Sequence, residues 1–302
     1  VQGKGTFVDE DVRRRLNRGL DIFALITPET RTGFYPSLLH GFDAAASEIQ
    51  HQTMTCNTGD NVDRQGNIVL QLLDKQVGGV AMVPTAGVST PAYQVRELQR
   101  RGIPVVFCHR RVEGVTAPLL ALPLRDAGYL AGKILAERGH RRVALFSTNP
   151  SPSLTIRTEG FNEGLRAGGC DKPAQLVHAV ESMVVLREEP VWEALQKVFS
   201  GSERPTAIYA TFDSMAEMIF LLLPRLGLRV PEDVSLLGFG GAWREGALTR
   251  RLNSVVVDEL ETGRQAVSLL SEMRRGLRPL DDNSEFVMEL SLSDGETLAC
   301  PK

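Results

Sequence analysis

The sequence predicts an α/β protein built as two lobes, each a parallel sheet flanked by helices, joined by hinge crossovers. Three observations carry this. Short apolar runs alternate with helix-periodic segments from Leu20 onward. The alternation breaks near Leu122–Arg125 and then restarts with the same rhythm. The chain, at 302 residues, has length for two medium domains. Strands alternating with helices imply parallel pairing with helices on both faces, so each half is expected to be Rossmann-like.

In the first half, Leu20–Ile26 is an apolar run stopped by Thr27-Pro28 and reads as a buried strand. Pro36–Gln50 carries Leu38, Leu39, Phe42, Ala45 and Ile49 at helical spacing. Gln52–Thr58 reads as a second strand, Arg64–Gln76 as a helix and Gly79–Val83 as a strand ended by Pro84. Tyr93–Arg101 is a helix closed by Gly102, and Pro104–Cys108 is a strand. In the second half, the helices are expected at Asp126–Arg138, Arg157–Ala167, Val191–Ser200 and Ser214–Leu226. The strands between them are Arg142–Ser147, Leu176–Val180, Ala207–Ala210 and Val234–Gly238. After Leu252 come a strand at Ser254–Val257, a helix at Thr262–Arg275, and strands at Phe286–Leu290 and Thr297–Ala299. The expected division is 1–19 as a preceding linker, 20–122 plus 254–280 as the N-terminal lobe, and 123–253 plus 281–302 as the C-terminal lobe.

Composition narrows the function. Hydrophobic residues make up 42% and charged residues 24%, a globular balance. The net charge of -3 argues against a chain that grips nucleic acid along its length. No run of eighteen apolar residues is present, so no membrane span is expected. No signal peptide is visible at the start, and a cytoplasmic location is expected. Cys56, Cys108, Cys170 and Cys300 are far apart and form no metal-ligand spacing, so neither a metal nor a disulfide framework is expected. The chain has no GxSxG elbow, no HExxH and no P-loop, and its five histidines are scattered. Gly238-Phe-Gly-Gly241 lacks the full spacing of a phosphate cradle. No catalysis and no cofactor are expected.

Several segments occur in a family's order. They are Gly33-Phe-Tyr-Pro36, Ile103-Pro-Val-Val-Phe-Cys-His-Arg110, Ala127-Gly with Arg138-Gly-His-Arg-Arg-Val-Ala144, Arg157-Thr-Glu-Gly-Phe161, and Val230-Pro-Glu-Asp-Val-Ser-Leu-Leu-Gly-Phe239. Together they resemble the effector-binding domain of LacI/GalR-type transcription regulators, a type I periplasmic-binding-protein-like fold, over roughly residues 20–300. Val1-Gln-Gly-Lys-Gly-Thr-Phe-Val8 resembles the closing strand of a GntR-type winged-helix wing, as in arabinose-repressor architecture; the other reading is a glycine-bearing arm. The resemblance implies an effector-sensing, homodimeric repressor domain in which a small polar metabolite binds in the cleft between the lobes. It also implies contact with operator DNA through an N-terminal domain missing from this chain. Helices around Pro36–Gln50 and Arg64–Gln76, with Thr262–Arg275, are expected to build the dimer. An extracytoplasmic solute-binding protein for sugar transport shares the fold and is the alternative.

The resemblance also supplies candidate ligand contacts. Phe34 and Tyr35 stand where relatives place aromatic partners for a ligand ring, with one of the two as plain core the competing reading. Arg110 and Arg157 match arginines that grip hydroxyls or a carboxylate. Asp213 has two readings, ligand contact and N-cap of the following helix. His109 replaces the usual aspartate before Arg110, and Phe212 replaces the usual asparagine before Asp213. Gly240 replaces an aspartate, and Val257, followed by Asp258, replaces a glutamine-like residue. A site that loses acidic and amide groups and keeps arginines fits an anionic, sugar-like ligand.

Overall fold

The computed structural model describes residues 20–31, 35–181, 184, 186–241 and 248–302. Phe34 and the expected wing at 1–8 lie outside the described residues. In chain order the elements are β1 (Leu20–Thr27), α1 (Tyr35–Glu48), β2 (Gln52–Asn57), α2 (Val62–Lys75), β3 (Val77–Met82), α3 (Ala92–Arg100), β4 (Val105–His109) and β5 (Leu119–Ala121). The pattern then repeats with α4 (Leu124–Glu137), β6 (Val143–Thr148), α5 (Pro152–Ala167), β7 (Gln175–Val180), α6 (Glu188–Phe199), β8 (Ala207–Ala210), α7 (Asp213–Leu222), β9 (Ser235–Gly240) and β10 (Asn253–Val257). The chain closes with α8 (Glu259–Arg274), β11 (Glu285–Val287) and β12 (Leu290–Leu292).

Two compact units result. The first holds residues 20–30, Leu38–Ala121 and Leu260–Phe286; the second holds Leu122–Glu259 and Val287–Lys302, with 35–37. The first sheet runs β2-β1-β3-β4-β5 with β11 at its edge, and the second runs β7-β6-β8-β9-β10 with β12 at its edge. The five-strand orders are the same doubly wound order used twice. Pairing is parallel from β2 through β5 and from β7 through β10, and β12 joins β10 antiparallel. The continuous apolar runs follow from this, because strands covered on both faces bury every side chain. In the first unit, Ala24, Ile26, Val80, Met82, Val105 and Phe107 pack against Val69, Leu72, Val95 and Leu98 from α2 and α3.

The division between the units differs from the expected one. Ser254–Val257 was expected in the first lobe, but Asn253 pairs with Leu237 of β9 and Val255 with Leu292 of β12. The crossing therefore comes after Glu259, and the first unit reaches Phe286, because β11 lies beside β5.

Glycines let helix pairs approach until backbones touch. A Cβ on Gly128 or Gly132 of α4 would strike the carbonyls of Arg157 or Phe161 on α5. A Cβ on Gly160 or Gly164 of α5 would strike the carbonyls of Arg125 or Tyr129 on α4. In the first unit, Gly41 of α1 meets the Leu260 carbonyl and Gly263 of α8 meets the Leu38 carbonyl. The helix after the first strand is thus clamped by a glycine-bearing helix in each unit.

Beyond the end of α4, His140 ties the amino edge of the second sheet together. Its ring nitrogens lie 2.9 Å from the Thr206 hydroxyl and 2.9 Å from the Ala299 carbonyl. Burial pushes its pKa below the usual histidine value; the Ala299 hydrogen bond opposes this and the Arg138 and Arg141 charges add to it. The folded protein therefore binds fewer protons at this site than the unfolded chain does. The stability His140 contributes is fully present above about pH 6.5 and is lost as pH falls through the lowered value. Melting temperatures taken from about pH 8 to about pH 5 should drop more steeply for the parent than for His140→Gln. Equal slopes would remove His140 from the acid response.

Candidate ligand-binding site

In a doubly wound sheet the first two helices lie on opposite faces, so the carboxyl ends of the first and third strands of the order open a crevice. In the second unit those strands are β6 and β8. The segment after β6 leads into α5, which carries Arg157, and the segment after β8 is Thr211-Phe212-Asp213.

Arg157 is only 8% exposed. Its Nη1 donates to the Thr211 carbonyl (2.5 Å), and its guanidinium carbon stands 4.0 Å over the Phe239 ring. Burial pushes its pKa down, and Tyr209 opposes that shift. Among the described residues no carboxylate forms an ion pair with it. The α4–α5 contact sets its place, because the Arg157 carbonyl is itself the surface that Gly128 leaves room for.

Asp213 is the first residue of α7, and the cap position before it is Phe212, which makes no side-chain cap. The N-cap reading of Asp213 is therefore replaced. Its Oδ1 accepts the Ser254 hydroxyl (2.6 Å), and Ser254 Oγ also accepts from the Gly241 amide (3.3 Å). Gly238 makes this possible, since a Cβ there would strike Asp213 Oδ1. The glycine at 240 also has a backbone cause, a φ of 123°, which L residues rarely adopt. An aspartate at that position does not suit this chain path.

Phe212, expected beside the ligand, lies just beyond the end of β8 with its ring turned into the core. It is 3% exposed and packs in the core with Phe146, Val180, Met215 and Ile219. An apolar ring in place of an asparagine gains burial by turning inward. Tyr35, at the first turn of α1, is also buried, at 1%.

In the first unit, His109 ends β4 with φ 70°, and the Arg110 amide donates to the Cys108 carbonyl (2.9 Å). This i to i+2 bond around a positive-φ residue is the rarer, strained γ-turn. Strain of this kind gathers at ligand clamps. Arg110 Nη1 donates to the Pro84 carbonyl (2.8 Å), so the arginine holds the loop after β3. That loop is fixed elsewhere by directed hydrogen bonds. Gln65 Nε2 donates to Thr90 Oγ1 (2.9 Å), Thr90 and Thr85 hydroxyls lie 3.1 Å apart, and Thr85 donates to the Val88 carbonyl (2.5 Å). Asp60 accepts from the Ala86 and Gly87 amides (2.7 and 3.2 Å). Thr27 Oγ1 and Gln65 Oε1 are buried with no hydrogen-bond partner among the described residues, an arrangement that costs stability unless something else meets them.

The structure thus brings Arg157 and Asp213 to one strand end and His109 and Arg110 to another. Sequence reasoning missed Phe239, Ser254 and Tyr209 as their neighbours. Phe239 stood in a quoted motif, but its contact with Arg157 depends on which strands are adjacent.

Fold and site define a two-unit α/β ligand-binding module. Residues 133–297 match the family described as the periplasmic binding protein-like domain, and the chain belongs to it. Over most of its length it is also similar to bacterial transcription repressors. The arabinose metabolism transcriptional repressor of Halalkalibacterium halodurans is 25% identical over 96% of this chain and 80% of its own. The HTH-type transcriptional repressor PurR of Vibrio atlanticus is 24% identical over 90% of this chain and 86% of its own. A LacI family regulator from Enterococcus faecium, solved with bound ribose, has a TM-score of 0.78 at 19% identity, covering 93% of this chain and 100% of its own. Among the described residues, no helix is long and apolar enough to cross a membrane.

Proposed function

We propose that this domain senses a small anionic, sugar-like metabolite, such as a sugar phosphate or sugar acid, and reports it to a DNA-reading domain. The observation that carries the reading is Arg157: a buried guanidinium with no carboxylate paired to it among the described residues. A buried charge without a counter-charge is costly, and an anionic ligand supplies one. Asp213 orders the neighbouring backbone through Ser254, while Arg110 and His109 hold the corresponding edge of the first unit in a strained, specific shape. Arg110 keeps further N–H groups for a ligand, and Phe34 and Tyr35 stand as aromatic candidates.

The domain acts as a homodimer that spaces two DNA readers on a pseudo-palindromic operator. Effector binding shifts the population of DNA-competent dimers by no more than its differential affinity for the two states. Ribose is the ligand of the Enterococcus faecium neighbour, so neutral sugars are the informative controls. A thermal-shift and calorimetric panel should contain sugar phosphates, sugar acids, other small carboxylates, and neutral pentoses and hexoses. Hits confined to the anionic members are expected, with melting temperature rising as ligand exceeds Kd. Hits confined to the neutral sugars would overturn the anion reading. Light scattering should give a dimer mass, and a monomer at high concentration would overturn that part.

A further inference from the structure

Below Arg157 lies a side chain that the fold alone does not explain. Tyr209, on β8, is fully buried and stacks on Phe161 of α5 with ring centroids 5.0 Å apart. Phe161 and Arg157 are one helical turn apart on α5, so both reach the same stretch of β8. The Tyr209 hydroxyl has no hydrogen-bond partner among the described residues. The neighbouring β8 side chains, Ile208 and Ala210, face the opposite, apolar core, where a phenylalanine-like residue would suffice. A buried hydroxyl without a partner is destabilising relative to the same ring without it, so its presence asks for a use.

The charges around it show what that use is. Burial raises the Tyr209 pKa; the Arg157 charge and the approach of its N–H groups to the hydroxyl oppose this, and the Asp213 charge adds to it. Arg157 and Tyr209 thus lie in each other's field, although their geometry falls short of a hydrogen bond. Arginine only donates, and the phenolic oxygen is able to accept.

We infer that Tyr209 is a positioning residue for effector binding, whose hydroxyl oxygen accepts from the Arg157 guanidinium when that group turns to meet an anion. The remaining guanidinium N–H groups are then presented as a fork to the carboxylate or phosphate. The buried hydroxyl gains a fully formed hydrogen bond in that orientation, which adds a differential preference for the anion-engaged arrangement. Specificity follows, because a neutral ligand that does not draw the guanidinium leaves the hydroxyl as it is. This inference rests on the anion reading of Arg157.

The test is Tyr209→Phe, with inorganic phosphate as the anionic probe and D-ribose as the neutral one, both followed by thermal shift. Without added ligand, the variant should melt no lower than the parent, because only an unpartnered hydroxyl is removed. Its half-saturating phosphate concentration should rise about tenfold, with any ribose response unchanged. A lower melting temperature together with parallel losses for both probes would make Tyr209 a structural residue and overturn the inference. A phosphate response equal to the parent's would overturn it while leaving the anion reading intact. A parent that does not respond to phosphate, whereas it does respond to ribose, would remove the anion reading and this inference with it.

Discussion

Gly132→Ala should unfold the second unit at denaturant concentrations where the parent is still native. An added methyl group in a helix interior normally stabilises by about 1 kcal/mol through backbone entropy. Here it would be driven into the Phe161 carbonyl, with the Leu165 amide also close, on a helix that is itself held by Gly160 and Gly164. Backbone cannot turn aside as a side chain can, so the two helices must separate and open the core between them. Overpacking costs about 1–3 kcal/mol where side chains adjust. A rigid backbone contact belongs at or above the top of that range, so a loss of about 3 kcal/mol or more is expected in urea unfolding. Gly201→Ala is the control, since a Cβ there meets nothing within 4 Å. It should change stability by no more than about 0.5 kcal/mol. A Gly132→Ala protein as stable as the parent would mean that the helices do not lie this close.

Arg157→Met should leave the protein folded and nearly abolish binding of the anionic effector. Methionine fills much of the volume of the arginine stem and adapts to irregular space. It also removes a charge that burial already disfavours, so the melting temperature should stay level or rise. Loss of the charge-assisted contact should weaken binding by about 3 kcal/mol, or about a hundredfold in Kd by calorimetry. Arg157→Lys should recover only part of this, since an ammonium keeps the charge and loses the planar fork. Full affinity in Arg157→Met would place the anion elsewhere. A large fall in melting temperature would instead assign Arg157 to the architecture, as the carbonyl of Thr211 and the ring of Phe239 would then be its main partners.

Much of the fold was legible because strands buried on both faces leave unbroken apolar runs. Ala207–Ala210 is a strand with the expected bounds, and most other elements shift by one or two residues. The misses have local causes. The start of α5 was placed at Arg157, while the helix begins at Pro152: Ser151 accepts from the Leu154 amide (3.2 Å), and proline at the first position needs no N–H partner. Strand β5 went unread, because three residues carry no periodicity and only pairing with Phe107–His109 makes them a strand. Thr297–Ala299 read as a strand; instead it is held to the second sheet by bonds such as Thr297 Oγ1 to the Leu236 carbonyl (2.7 Å). In the site, Arg157 and Asp213 were legible because they sit in motifs. Ser254 and Tyr209 were not, because their meaning comes from strands that lie far apart in sequence and side by side in the sheet.

The interleaving of the two units along the chain has a consequence during synthesis. The first unit is interrupted after Ala121 and resumes only at Leu260, so β1 to β5 leave the ribosome well before α8 exists to clamp α1. At ~5–20 residues per second, the intervening stretch of roughly 140 residues takes on the order of ten seconds to make. For that interval the nascent first unit lacks the helix that Gly41 and Gly263 lock in place, whereas most of the second unit is emerging as one continuous piece. Each unit is therefore completed only by the last part of the chain: the first waits for α8 and β11, and the second, mostly made as one piece, waits for Val287–Lys302 with β12 and the Ala299 carbonyl that meets His140.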